Sequence, residues 1–148
     1  MKIRHFLKQL DRPLIEAAIH EAELKTSGEI RVVIQRQPVD DALAAAQAEF
    51  VRLGMQNTRQ RNAVLILVAP SSQKFAVIGD VAVHARCGTA FWQELAAAMS
   101  GHFGRGELSA GLLHGIKRAG QLLAAEFPRH ADDRNELPDE VVIRRPVI

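Results

Sequence analysis

Two carboxylates, an amide, an imidazole and a guanidinium carry the chemistry this sequence can offer. Asp80 ends one predicted strand and opens a predicted helix. Arg61 and Asn62 stand just before a second strand, and Glu29 begins a third. Oxygen-rich sets of this kind suit a hard cation such as calcium or magnesium, with Glu29 and Asp80 as ligands and Arg61, Asn62 and His84 nearby. His84 follows Asp80 by four residues, which sets both on one face of a helical turn. The plainer reading has Asp80 capping its helix and Glu29 pairing with Arg61. A second acidic group, Asp132, Asp133 and Glu136, lies in the C-terminal tail with Asp139 and Glu140. It is either a solvated segment or one that folds back to add oxygen ligands.

The elements that position these residues centre on 62–80. Ala63–Ala69 is apolar throughout and rich in β-branched residues, which suits a strand covered on both faces. Pro70 to Gln73 is turn-rich, and Phe75–Ile78 is a second apolar run, so the two predict an antiparallel hairpin in the middle of the sheet. Glu29 to Gln35 predicts an earlier strand. A helix between Asp40 and Gly54, striped by Leu43, Ala46, Phe50 and Leu53, makes a βαβ unit with parallel strands. Antiparallel pairing then brings Asp80 to the sheet edge occupied by Arg61 and Asn62, and the parallel strand brings Glu29 there too.

Helices complete the layers. The first opens at Asp11-Arg12-Pro13, turns Ile15, Ala18, Ile19 and Ala22 inward and Glu16, Glu21 and Glu23 outward, and stops at Ser27-Gly28, where glycine is free to take a left-handed conformation. A short helix after Asp80 ends at Gly88, and Thr89 caps the next. The last runs from about Glu107 to Phe127, with Gly111 and Gly115 on one face for close packing. Pro128 ends it. Residues 1–128 read as one α/β domain and 129–148 as a polar tail in which Val141–Ile143 can add an edge strand.

Composition narrows the function classes. The 148 residues carry a formal net charge of only +2, 5% aromatics and no tyrosine. With the basic residues dispersed, nucleic acid is not an expected partner. One cysteine, Cys87, excludes an intramolecular disulfide and a multi-cysteine metal cluster, and a buried, unreactive thiol is the expectation. No apolar run reaches the roughly 20 residues needed to span a bilayer, and the charged N-terminus is unlike an export signal, so a cytoplasmic protein without membrane insertion is expected. There is no nucleophile elbow, no phosphate-binding glycine loop with Gly-Lys-Ser/Thr and no His-Glu-x-x-His. Gly101-x-x-Gly-x-Gly follows no strand.

Several stretches together resemble the TPM domain family, also labelled as phosphatases. They are Ser27-Gly28-Glu29-Ile30-Arg31-Val32, Arg61-Asn62 with the strand to Val68, Phe75 to Asp80 running on to Gly88 and Phe91-Trp92, Phe103 with Gly111-Leu112-x-x-Gly115-Ile116, and Asn135 to Glu140. The likeness spans about 12–143. It implies an α/β/α sandwich around a small mixed sheet with helices on both faces, in accord with the pattern of elements. It also implies divalent-cation binding at the strand ends and a phosphatase activity. Departures are Ala63 and Ala82 where many members have Gly, and Arg61 where many have an acid, which removes a ligand. Three functions are therefore in view: a calcium- or magnesium-binding domain, a metal-dependent hydrolase of phosphate monoesters, and a non-catalytic module that binds protein partners.

Overall fold

The computed structural model describes Lys8 and residues 10–129, 137–139 and 141–144. In chain order the elements are α1 (Arg12–Glu23), β1 (Glu29–Gln35), α2 (Ala42–Arg52), β2 (Ala63–Ala69), β3 (Lys74–Gly79), α3 (Val81–Gly104), α4 (Leu108–Glu126) and β4 (Val142–Arg144). One four-stranded sheet runs β3-β2-β1-β4. β1 is parallel to β2, with Glu29 opposite Ala63, and parallel to β4, with Val33 opposite Val142. β2 and β3 form the antiparallel hairpin, turned by Pro70–Ser72 and a left-handed Gln73 (φ 53°). The hairpin is not the middle of the sheet: β2 is interior, but β3 is an edge.

Strand periodicity explains why β1 and β2 are apolar at nearly every position. Ile30, Val32, Ile34, Val64, Ile66 and Val68 face a core shared with α1, α3 and α4. Val33, Ala63, Leu65 and Leu67 face the other way, onto Ala46 and Phe50 of α2 and onto Met55. The result is an α/β fold with helices on both faces of a small mixed sheet.

Caps follow the sequence closely. Asp11 accepts from the Leu14 N–H and Asp41 from the Ala44 N–H, each at 3.1 Å. Gly54 takes the left-handed conformation expected after α2 (φ 69°). Gly88 (φ 74°, ψ 166°) breaks α3, so 81–87 and 89–104 are separate helical arms. Gly28 departs from expectation. Its backbone is not left-handed, and a Cβ there would lie 3.0 Å from the Leu123 side chain and 3.2 Å from the Asn62 carbonyl oxygen. Close approach requires it, not a turn.

Helix α4 packs on α1 just as tightly. A Cβ on Gly120 would lie 2.9 Å from Ala22 Cβ, an atom fixed to the α1 backbone. Gly120→Ala adds about 1 kcal/mol of helix propensity but forces the two helices apart, a cost of about 1–3 kcal/mol. A net loss of about 1 kcal/mol is expected, read from the urea midpoint. An unchanged or raised midpoint would show that the helices separate freely.

Candidate functional site

The parallel β1, β2 and β4 begin, and the antiparallel β3 ends, along one edge of the sheet. In spatial order the edge carries Asp139 before β4, Glu29 at the start of β1, Asn62 before β2 and Asp80 after β3. All four therefore lie along one edge of the sheet. Glu29 and Asp80 nevertheless flank β2 on opposite sides, and two strand spacings put their strands about 10 Å apart.

At the Asp80 end a cation is already in place. Arg61 Nε donates to Asp80 Oδ2 at 2.7 Å and Arg61 Nη2 to Asp80 Oδ1 at 2.9 Å. The Val81 N–H donates to Oδ1 at 2.8 Å, so Asp80 also caps α3. The Asp80 side chain is 4% exposed and that of Arg61 46%. Arg61 reaches it from a left-handed backbone (φ 53°), where a side chain costs of order 1–3 kcal/mol, held by Arg61 N–H to Thr58 O and Ala82 N–H to Arg61 O. The bidentate fork raises the Arg61 pKa above its ordinary value, the hydrogen bond to Asp80 being the largest cause. Arg61 therefore pairs with Asp80, not with Glu29. His84 is exposed, one turn into α3, and its backbone N–H donates to Asp80 O at 3.0 Å.

Asn62 is fully enclosed. Its Nδ2 donates to Ser27 Oγ at 3.1 Å and lies 3.4 Å from Gln60 Oε1, to which Ser27 Oγ donates at 2.9 Å. This ties the start of β2 to the loop before β1. Its Oδ1 accepts no hydrogen bond from the described residues.

The Glu29 end holds Glu23, a residue expected to face solvent. Glu23, the last residue of α1, is 4% exposed, and its Oε2 accepts from the Ile30 N–H at 2.7 Å. Stepping by four from Ile15 and Ile19 leads to Glu23 on the same buried face, a signal available in the sequence. Burial, then Asp139 beside it, pushes its pKa from the ordinary 4.5 to about 11 against the lowering effect of the Ile30 N–H, and Glu29 adds to the rise. Although Asp139 is adjacent, Glu23 Oε1 makes no hydrogen bond of ordinary geometry. Glu29 itself is 1% exposed. His20 Nδ1 lies 3.2 Å from Asp139 Oδ2, and Arg129 Nη1 donates to the Glu23 carbonyl at 2.9 Å.

Fit to a cation differs at the two ends. Both Asp80 oxygens are committed to Arg61 and the Val81 N–H. The Glu29 end offers enclosed carboxylates and a buried oxygen, Glu23 Oε1, with no donor. Among the described residues no three His, Cys, Asp or Glu side chains stand close enough together to hold a metal ion. Asp132, Asp133, Glu136 and Glu140 lie outside the described residues. Cys87 is half-buried, and burial, then Glu126, raises its thiol pKa, as suits an unreactive thiol. Among the described residues no helix is long and apolar enough to cross a membrane.

Comparison with known proteins agrees with this architecture. The BA42 protein of the psychrophilic bacterium Bizionia argentinensis is 36% identical, superposes with a TM-score of 0.83, and shares 90% of this chain and 92% of its own. The N-terminal domain of a protein from P. gingivalis, 17% identical, shares the fold with a TM-score of 0.64 over 80% of this chain and 78% of its own. No curated protein matches the chain. The model of the TPM domain matches residues 3–122, most of the sequence, and the chain belongs to the TPM domain family.

Proposed function

We propose that this TPM domain binds a divalent cation, calcium or magnesium, through Glu29 at the sheet edge, with Glu23 and Asp139 supplying neighbouring oxygens. The observation that carries the reading is a pair of enclosed carboxyl groups, Glu23 at the end of α1 and Glu29 at the start of β1, with Asp139 from the approach to β4 beside Glu23. A hard cation compensates such carboxylates and draws its remaining ligands from backbone oxygens, water and further acids. Glu136, Asp133 and Asp132 precede Asp139 by three, six and seven residues in the sequence and are the further acids of this reading.

A calcium titration followed by amide NMR tests it. Saturable shifts at Glu23, Gly28 to Ile30 and Asp139 in the millimolar range are expected. They should be lost in Glu29→Gln and retained in Asp80→Asn. A flat titration removes the proposal, and shifts confined to 79–84 and lost in Asp80→Asn would move the site to the other end of the edge. Hydrolysis of phosphate monoesters depends, in this reading, on the same cation for Lewis acidity when bound. Turnover of an aryl phosphate that survives Glu29→Gln would therefore not belong to this site. The interaction-module reading is favoured by a separate observation, the open edge of β3.

A further inference from the structure

β3 is an edge strand with one side of its backbone unpaired among the described residues. The Asp80 N–H donates to Ala63 O at 2.9 Å, and in an antiparallel ladder the inward and outward groups alternate. Lys74, Ala76 and Ile78 therefore point their N–H and C=O groups at β2, and Phe75, Val77 and Gly79 point theirs outward. Such an edge is a template for another strand.

The Val77–Gly79 part of the edge lies on the floor of a cleft of about 760 Å³. One wall is α2, with Leu43, Phe50 and Val51; the other is α3, with Val81, His84 and Trp92. Leu43, expected on the inward stripe of α2, is half exposed here. With Val51 and Val81 it makes three of the five large apolar side chains that stand exposed among the described residues. Apolar walls beside a bare strand edge are what alternate side chains of an added strand require.

Charge and shape select the occupant. The ionisable side chains lining the cleft are Arg61, Asp80 and His84, all at its Gly79 end. Asp80 is neutralised, while Arg61 spends two of its five N–H donors on it and is 46% exposed. That end suits an acid. A second copy of this chain fits poorly, because its own edge is walled in the same way by α2 and α3, and two recessed edges do not meet.

We propose that the β3 edge binds an extended segment of a partner protein, added as a fifth strand, with apolar residues at alternate positions and an acidic residue at the end that reaches Arg61. From Phe75 to Gly79 the edge is about 14 Å long, enough to pair five residues. The segment's backbone meets Phe75, Val77 and Gly79, and its apolar side chains meet Val51 and Val81.

The test is selection from a displayed library of random octapeptides on the whole chain, followed by synthesis of an enriched peptide. Enriched sequences should alternate apolar residues and carry Asp or Glu at one end. The synthetic peptide should slow hydrogen exchange at the Phe75, Val77 and Gly79 amides. Val51→Glu with Val81→Glu, both at exposed positions, should keep the melting temperature and weaken binding about tenfold or more. Arg61 is left untouched so that the Asp80 cap stays intact. Selection without enrichment overturns the proposal, as does binding that leaves those three amides exchanging or is indifferent to the two charges. A free protein that sediments as a dimer with the three amides already protected also overturns it, since a second copy then holds the edge.

Discussion

Replacing Glu23 with glutamine should flatten the pH dependence of stability. Without a bound cation, burial and the neighbouring Asp139 push the folded carboxyl up to about 11, whereas in the unfolded chain it ionises near 4.5. Between these values the folded state binds more protons than the unfolded state, so stability falls as pH rises, by up to about 1.4 kcal/mol per unit. From pH 5 to pH 8 the native sequence should lose up to about 4 kcal/mol relative to Glu23→Gln. Glutamine keeps an oxygen for the Ile30 N–H, which Glu23 caps at 2.7 Å. Glu23→Ala removes it and should cost about 1–3 kcal/mol at every pH by leaving a buried donor unpaired. Urea unfolding of the three proteins at several pH values separates the effects. Parallel curves for Glu23 and Gln would mean that the carboxyl is compensated, not protonated.

Ending the chain after Arg129 should bring the domain close to unfolding. β4 pairs along β1 from Val33 to Gln35, and the Arg36 N–H donates to Arg144 O at 3.1 Å. Val141, 1% exposed, donates its N–H to Glu16 Oε2 at 2.7 Å and receives Arg12 Nη2 on its carbonyl at 3.1 Å. Losing the Val141 side chain alone costs about 2 kcal/mol. Arg144 Nε lies 3.1 and 3.0 Å from the two oxygens of Glu49, whose side chain is 7% exposed and would keep only Arg52 at 3.1 Å. With about 1–3 kcal/mol more for leaving Glu49 and the hydrogen-bonding groups of β1 without these partners, the loss is about 3–5 kcal/mol, set against a usual domain stability of about 5–15 kcal/mol. The apolar β1 would also present an open edge, so the shortened chain should self-associate. Thermal melting with sedimentation measures both. An unchanged melting temperature in a monomer would make β4 dispensable.

What was legible in the sequence was what local rules control. The run from Ala63 to Ala69, apolar throughout and rich in β-branched residues, suits a doubly covered strand, and it is one. The Pro70 to Gln73 turn fixes the hairpin, and Asp11, Asp41 and Asp80 announce their helices. Strand order was not local. Nothing in 62–80 says that β1 and β4 lie beyond β2, so the local pattern alone does not reveal that β3 is an edge. The pairing of Arg61 was likewise hidden, because it depends on a left-handed backbone at a position with no glycine. Gly28 and Glu23 depart from expectation for one reason: the local helix end does not set their environment, which comes from Leu123 and Asn62 in the first case and from Asp139 in the second.

One fastening sets the order in which this protein can be completed. The Thr26 hydroxyl faces the Leu123 and Phe127 carbonyls at the end of α4, the Ser27 N–H donates to Phe127 O at 3.0 Å, and Thr26 and Pro128 form an isolated β-bridge. The segment that aims β1 into the sheet is therefore anchored on residues that leave the ribosome about a hundred positions later. During synthesis the β1–α2–β2–β3 unit emerges before its anchor and before the helix that covers its larger core. That unit must wait with α1 alone to cover its face of Ile and Val, the condition in which nascent chains draw chaperones and pair with one another.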